Sequence, residues 1–244
     1  MKGENKSVVH TLKLGGLYLD DKPVYPGTEY QPGQAISFGA TASDSAISWV
    51  PVNGMLIADR SLLTNISWDD LDAQDLVFGK EISIQGFRFK IRLLKVGSEK
   101  GMPNEWDAAL DTVGDSNNLW HWDGMFFWGQ ASYKDASHRV FRGFNSARDW
   151  YHYSSDIRSS RLGFRPALIP LFTDPSALKP GQEILVMGYG YDGCVVGELM
   201  DKTKYDLILQ PKPGGLVGKA TFTADMQDGT VAVDRNRILS IACF

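Results

Sequence analysis

Apolar residues along this chain fall in short alternating runs separated by turn-forming residues, which predicts many short strands and few helices. Across residues 1–60 the turns are marked by Gly15-Gly16, Asp20-Asp21, Pro26-Gly27 and Pro32-Gly33. Gly tolerates positive φ and Pro fixes its own, so these pairs bend the chain around the apolar runs Leu17-Tyr18-Leu19 and Ala35-Ile36-Ser37-Phe38. A set of β-hairpins or an extended arm is expected there. Ile47-Ser48-Trp49-Val50 alternates as a strand does. Farther on, Phe87, Phe89, Ile91 and Leu93 alternate with Arg88, Lys90 and Arg92. That pattern predicts a strand with one buried face, paired with residues 81–85 across a turn at Gly86.

Two helix starts interrupt the strands. Ser67 can cap a helix whose first turn carries Asp69 and Asp70, acids that suit the positive end of the helix dipole. This helix is expected to be short and to end near Gly79. Asn104 caps a second, with Asp107 at the third position and Trp106, Leu110 and Val113 on one face at i, i+4 and i+7. Gly114 is placed to close it. Trp106, Trp120, Trp122, Trp128 and Trp150 crowd into one stretch, which predicts a central core built on large rings rather than long helices.

Leu178-Lys179-Pro180-Gly181 reads as a boundary. Beyond it, short apolar runs at 184–187, 195–199, 207–209, 220–223, 231–233 and 238–242 predict strands, with turns at Gly193, at 211–215 and at Asp228-Gly229. The expected organisation is an N-terminal β region at 1–60, a central domain at 61–175 and a small β module at 176–244. The fold class is α+β and β-rich.

Composition narrows the function classes. With 43% hydrophobic and 22% charged residues, the 244-residue chain has an ordinary globular make-up. A net charge of -4 suggests no general attraction to nucleic acid phosphates, so no nucleic acid partner is expected. No apolar run approaches the roughly 18 residues a membrane-spanning helix needs. Residues 1–6 are polar and lead into no apolar stretch, so no secretory signal is expected, and the setting is cytoplasmic or virion-associated. Cys194 and Cys243 lie far apart with no metal-ligand spacing and read as reduced structural thiols.

The candidate functional segment is Arg148 followed by Asp149, Trp150, Tyr151, His152, Tyr153, Ser154, Ser155, Asp156, Ile157, Arg158, Ser159, Ser160 and Arg161. Tyr and Trp offer rigid amphipathic area, and Ser, His, Asp and Arg offer adaptable hydrogen bonding, as in an antibody contact loop. Tyr151 and Tyr153 share a face if the segment is extended and could pack on the Trp cluster. The Ser154-Ser155 and Ser159-Ser160 pairs argue instead for an exposed irregular path. Asp149 and Asp156 balance Arg158 and Arg161, so recognition by shape and hydrogen bonding is expected rather than by bulk charge. Arg148, Arg158 and Arg161 are expected to be free for a ligand. Arg142 and Arg165, which bracket the segment, are expected to brace strands, since Arg brings five fixed donors.

The central region resembles a known family. Asn104-Glu105-Trp106-Asp107 is similar to the Glu-Trp-Glu helix start of the formylglycine-generating-enzyme type of C-type lectin fold, Arg142-Gly143 to its Arg-Gly phrase, and Gly163-Phe164-Arg165 to its closing Gly-Phe-Arg. The resemblance covers residues 61–172. The same frame carries the variable proteins of diversity-generating retroelements, many of them phage or bacterial surface binders. Their hypervariable positions lie just ahead of the closing strand, which corresponds here to residues 149–161. In those proteins the variable region often lies near the C-terminus, whereas here residues 176–244 follow.

The resemblance implies a C-type-lectin-like central domain and a non-enzymatic ligand-binding protein, phage- or prophage-encoded, acting in receptor binding or in the virion. A protein ligand is favoured over a glycan, and a homo-oligomer is compatible with it. The alternative is an intracellular phage or bacterial factor that binds a host protein and inhibits a defence system. A formylglycine-type oxidase ranks third, because the copper-holding cysteine pair of that chemistry has no counterpart near the matching region. His121, His138 and His152 sit in no hydrolase motif. Calcium would need oxygen ligands such as Asp111, Asp115, Asn117, Asn118 and Asp123, but these follow no calcium-loop spacing, and Asp115-Ser116-Asn117-Asn118 reads as a polar turn. No cofactor is expected.

Overall fold

The computed structural model describes residues 11–42, 45–134, 137–171, 173–189, 193–218 and 220–243. The fold is α+β and β-rich, 49% strand and 9% helical. The first sheet places Leu12–Lys13, Ser48–Val52, Met55–Ala58, Pro166–Pro170, Phe87–Leu93 and Lys80–Ile84 side by side in that order. The second runs Trp150–Ser154, His138–Gly143, Phe126–Ser132, Leu162–Phe164, Leu63–Thr64 and Thr28–Glu29. A third sheet of six strands is formed wholly by residues 183–243, and a small one holds Lys22–Val24, Gly16–Leu19 and Ile36–Gly39.

The hairpin at Gly86 forms as its pattern predicts. Phe87, Phe89, Ile91 and Leu93 are buried, the two strands pair from Ile84 to Phe87, and Gln85 and Gly86 turn the chain with φ of 50° and 88°. Strands Ser48–Val52 and Met55–Ala58 lie in the same sheet as Phe87–Leu93, so the expected boundary at residue 60 runs between elements that share a sheet. The third sheet also contributes Leu185, Met187, Cys194 and Val196 to the core that contains Trp49, Phe89 and Phe164.

Helix α1 (Trp68–Asp72) starts at Ser67 with a full capping box to Asp70. It stops well short of Gly79, because Asp75 takes a φ of 60° while Leu76 and Val77 turn into the core. Helix α2 (Glu105–Val113) is capped by Asn104 and closed by Gly114 at φ 85°. A third, short helix, α3 (Asn117–Trp120), follows. Trp106 meets Trp120 and Phe127 edge-on, each at 4.8 Å between ring centroids. The buried indole N–H groups of Trp106, Trp120 and Trp128 each donate to a carbonyl, those of Ala147, Gly114 and Ile66. In the third sheet, residues 211–215 make a bulge within the strand Asp206–Gly218 rather than a loop, since Gly197 pairs with Pro211 and Val195 with Leu216.

Candidate contact surface

The candidate segment begins as a strand, not as an irregular loop. Trp150–Ser154 is the terminal strand of the second sheet and pairs antiparallel with His138–Gly143. Its approach is set by Arg142, which is 2% exposed. The Arg142 guanidinium donates to the carbonyls of Val96, Arg148 and Asp149 and grips the Asp107 carboxylate, with Nη2 at 2.6 Å from Oδ1. The third residue of α2 is thereby tied to the two residues that lead into the strand. Burial pushes the Asp107 carboxyl up, but hydrogen bonds from Arg142 and Asn104 outweigh it and hold the pKa below 3.8. Gly143 follows at φ 102°, where any Cβ would press into the Met125 carbonyl.

Pleating divides the strand into two aromatic faces. On one, Tyr151 and Tyr153 are exposed, at 38% and 55%. Tyr151 stands edge-on to Phe126 at 5.4 Å, Phe126 stacks on Phe144 at 4.5 Å, and the Arg161 guanidinium lies 5.8 Å over Phe144. These contacts make an aromatic shelf across the sheet, with Asn145 and Asp149 within reach of the Tyr151 hydroxyl. On the other face, Trp150 is half-buried, donates to Gly97 O at 3.2 Å and meets Tyr133 edge-on. His152 stacks on Tyr133 at 3.8 Å, and its buried Nδ1 has no hydrogen-bond partner among the described residues.

Residues 155–159 are spent on the fold. Ser155 O accepts from the amides of Trp68 and Asp69, and its hydroxyl donates to Asp69. Those amides are first-turn donors of α1 that the helix itself cannot satisfy. Arg158 forms a two-point pair with Asp70 at 2.8 and 2.9 Å, and Ser159 O accepts from Asn65. Burial pushes the Asp70 carboxyl up, but hydrogen bonds from Arg158 and Ser67 prevail and lower its pKa. Arg148 bonds Asp111 at 2.8 Å. Arg158 is therefore held by the largely buried Asp70, Arg148 makes a surface ion pair with exposed Asp111, and of the three arginines expected to be free only Arg161 makes no ion pair among the described residues. Ser160 is exposed and Asp156 accepts from the Ser154 hydroxyl.

Arg165 is fully buried and braces the core as expected. It donates to Trp120 O and lies 4.7 Å over the Phe127 ring and 5.2 Å over that of Trp106. Burial depresses its pKa to about 9, against the opposing charge of Asp59. The oxygen groups weighed for calcium do not converge. Asp111 and Asp115 face Arg148, and Asn117 accepts the Asp123 amide. Among the described residues no cluster of three acidic, His or Cys groups could hold a metal. Cys194 and Cys243 are unpaired and lie on strands either side of Glu183–Gly188, in the third sheet.

His121 joins Arg60 at 3.0 Å beside a cavity of about 390 Å³ that Ser61, Thr64 and Ser160 also line. Sequence patterns marked neither this cavity nor the Phe126–Phe144 part of the shelf. Among the described residues, no helix is long and apolar enough to cross a membrane. No family model, curated protein or solved structure matches the chain.

Proposed function

We propose that this chain is a non-enzymatic ligand-binding protein that recognises its target through the Tyr151–Tyr153 face of its second sheet. The observation that carries this reading is an aromatic shelf in which exposed Tyr151 and Tyr153 share a face and Tyr151 adjoins half-buried Phe126 and Phe144, with Asn145 beside Tyr151 and Arg161, which makes no ion pair among the described residues, over Phe144. Large rings already fixed by their neighbours lose little entropy on binding, and a rim of polar side chains supplies orientation. The same rings would otherwise be a liability in water, which favours a bound state.

A C-type-lectin-like scaffold is part of the proposal. Its support is that Trp106, Asp107, Arg142, Gly143 and Arg165 converge on one frame beneath the shelf. From the same resemblance comes the setting, a phage or bacterial receptor-binding or virion-associated protein with a protein ligand. The test is selection from displayed peptide and protein libraries and a glycan array, with a Tyr151→Ser/Tyr153→Ser variant as counter-target. Binders that lose at least about tenfold in affinity for the variant support the reading. Binders that hold both equally refute it, and Tyr-dependent binders drawn only from the glycan array replace the protein ligand with a sugar.

A further inference from the structure

We infer that the partner docks as an extended polypeptide strand added to the free edge of Trp150–Ser154, an inference that rests on reading this surface as the ligand contact. In an antiparallel pair, residues that exchange hydrogen bonds with the neighbour alternate with residues whose main chain faces away. The Gly143 amide donates to Asp149 O at 3.2 Å, and the Ser155 amide donates to Ser137 O at 2.9 Å. With Phe141 opposite Tyr151 and Arg139 opposite Tyr153, this parity turns the main chain of Tyr151 and Tyr153 inward. The N–H and C=O of Trp150 and His152, and the N–H of Ser154, face outward. The strand ends its sheet, and among the described residues no backbone group pairs with Trp150 or His152 on that side.

Such an edge is normally guarded by a Lys, a Pro or a bulge, because it templates pairing with any extended chain. This one has none of the three: Trp150, Tyr151, His152, Tyr153 and Ser154 carry no Lys, Arg, Asp or Glu, and the register is unbroken. Donors and acceptors alternating at a two-residue repeat match an extended polypeptide, and a glycan has no such ladder. Charge decides the composition of the segment. Its side chains would lie between Tyr151 and Tyr153 on one face and Trp150 and His152 on the other, with no counter-ion from the strand itself. An uncharged segment is the complement, since a desolvated Lys or Glu there would stay unpaired.

The experiment reads amide exchange of Trp150 and His152 by NMR in the full chain. The probes are a panel of synthetic peptides of about six alternating Val, Ile, Tyr or Thr residues with solubilising lysines outside them, and copies N-methylated at alternate positions. Strand addition predicts at least about tenfold slower exchange at Trp150 and His152 with the plain peptides and no change with the methylated ones. His152→Pro removes an outward N–H and no internal ladder bond, so it should weaken peptide binding about tenfold relative to His152→Thr, with both variants folded. Unchanged exchange with every peptide overturns the inference. Protection that grows with protein concentration alone assigns the edge to a second copy and also overturns it. Library ligands that need Tyr151 and Tyr153 but bind His152→Pro unweakened would leave the contact surface standing and remove strand addition, whereas ligands indifferent to all three substitutions would remove both.

Discussion

Replacing Arg142 with Ala tests the frame that holds the contact surface. All five of its N–H groups are engaged, through Nε on Asp149 O, Nη1 on Val96 O and Asp107 Oδ2, and Nη2 on Asp107 Oδ1 and Arg148 O. The Arg142 side chain is 3% exposed and that of Asp107 26%. Truncation would leave the carboxylate without its main counter-charge and the carbonyls of Val96 and Arg148 without a donor, while Asp149 O keeps only the Gly143 amide. Breaking a buried pair from one side costs about 3–5 kcal/mol. The partial exposure of Asp107 places this case at the lower end, and the carbonyls can reach water by small shifts, so a loss of about 3–4 kcal/mol is expected. For a chain of this length that corresponds to a fall in Tm of roughly 6–16 °C.

Urea unfolding followed by Trp fluorescence measures the loss, and a double-mutant cycle with Asp107→Asn should return a coupling of at least about 1.5 kcal/mol. pH supplies an independent check. The folded-state pKa of Asp107 lies below 3.8, so its stabilisation is complete above that value and is lost as pH falls through the lowered one. The Arg142→Ala penalty should therefore shrink below about pH 4. A loss under about 1 kcal/mol, or a penalty as large at pH 3 as at pH 7, would refute this account of the frame.

Gly163→Ala should cost more than about 3 kcal/mol, or prevent soluble expression, because the new Cβ presses into the Leu63 carbonyl oxygen and stands 2.7 Å from Ser61 Cβ. Near-native urea midpoints would show that the two strands can part. Trp150→Ala should lower stability by about 2 kcal/mol through its packing on Tyr133 and its bond to Gly97, while Tyr153→Ala should change it by less than about 0.5 kcal/mol. Equal losses in thermal scans would show that Tyr153 belongs to the core. Burial pushes the Cys194 thiol up to about 12, so in a Cys243→Ser background maleimide at pH 8 should label it only in denaturant. Labelling of the native protein at the rate of a free thiol would contradict that burial.

What could be read from residue order depended on whether one face of an element was buried. Phe87, Phe89, Ile91 and Leu93 alternate with charged residues, so period two was visible and the strand stands where it was expected. Trp150, Tyr151, His152 and Tyr153 hide the same period, because both faces of the strand carry rings and no apolar–polar alternation remains. The second half of the segment was illegible for a different reason. Arg158 meets Asp70 and Ser155 meets Asp69 across 88 and 86 residues, and Arg148 meets Asp111 across 37, so no local pattern records these partners. The shelf is likewise made by register, with Phe126 set opposite Gly143 and so against Phe144.

These long-range contacts split a segment of uniform composition into two kinds of position. Trp150 and Arg158 hold the strand and α1 in place through their side chains, so changing them removes packing or leaves Asp70 without its counter-charge, whereas Ser155 holds α1 mainly through its main-chain carbonyl. Tyr153, Ser160 and Arg161 have exposed side chains that the fold hardly uses, and Tyr151, though it packs on Phe126 and Phe141, keeps its outer face in solvent. A surface of this kind can exchange its exposed residues for a new ligand only while the first set is kept. If the chain does vary here, the variation should therefore fall on alternate residues of the strand and then on 160 and 161, not evenly along 149–161.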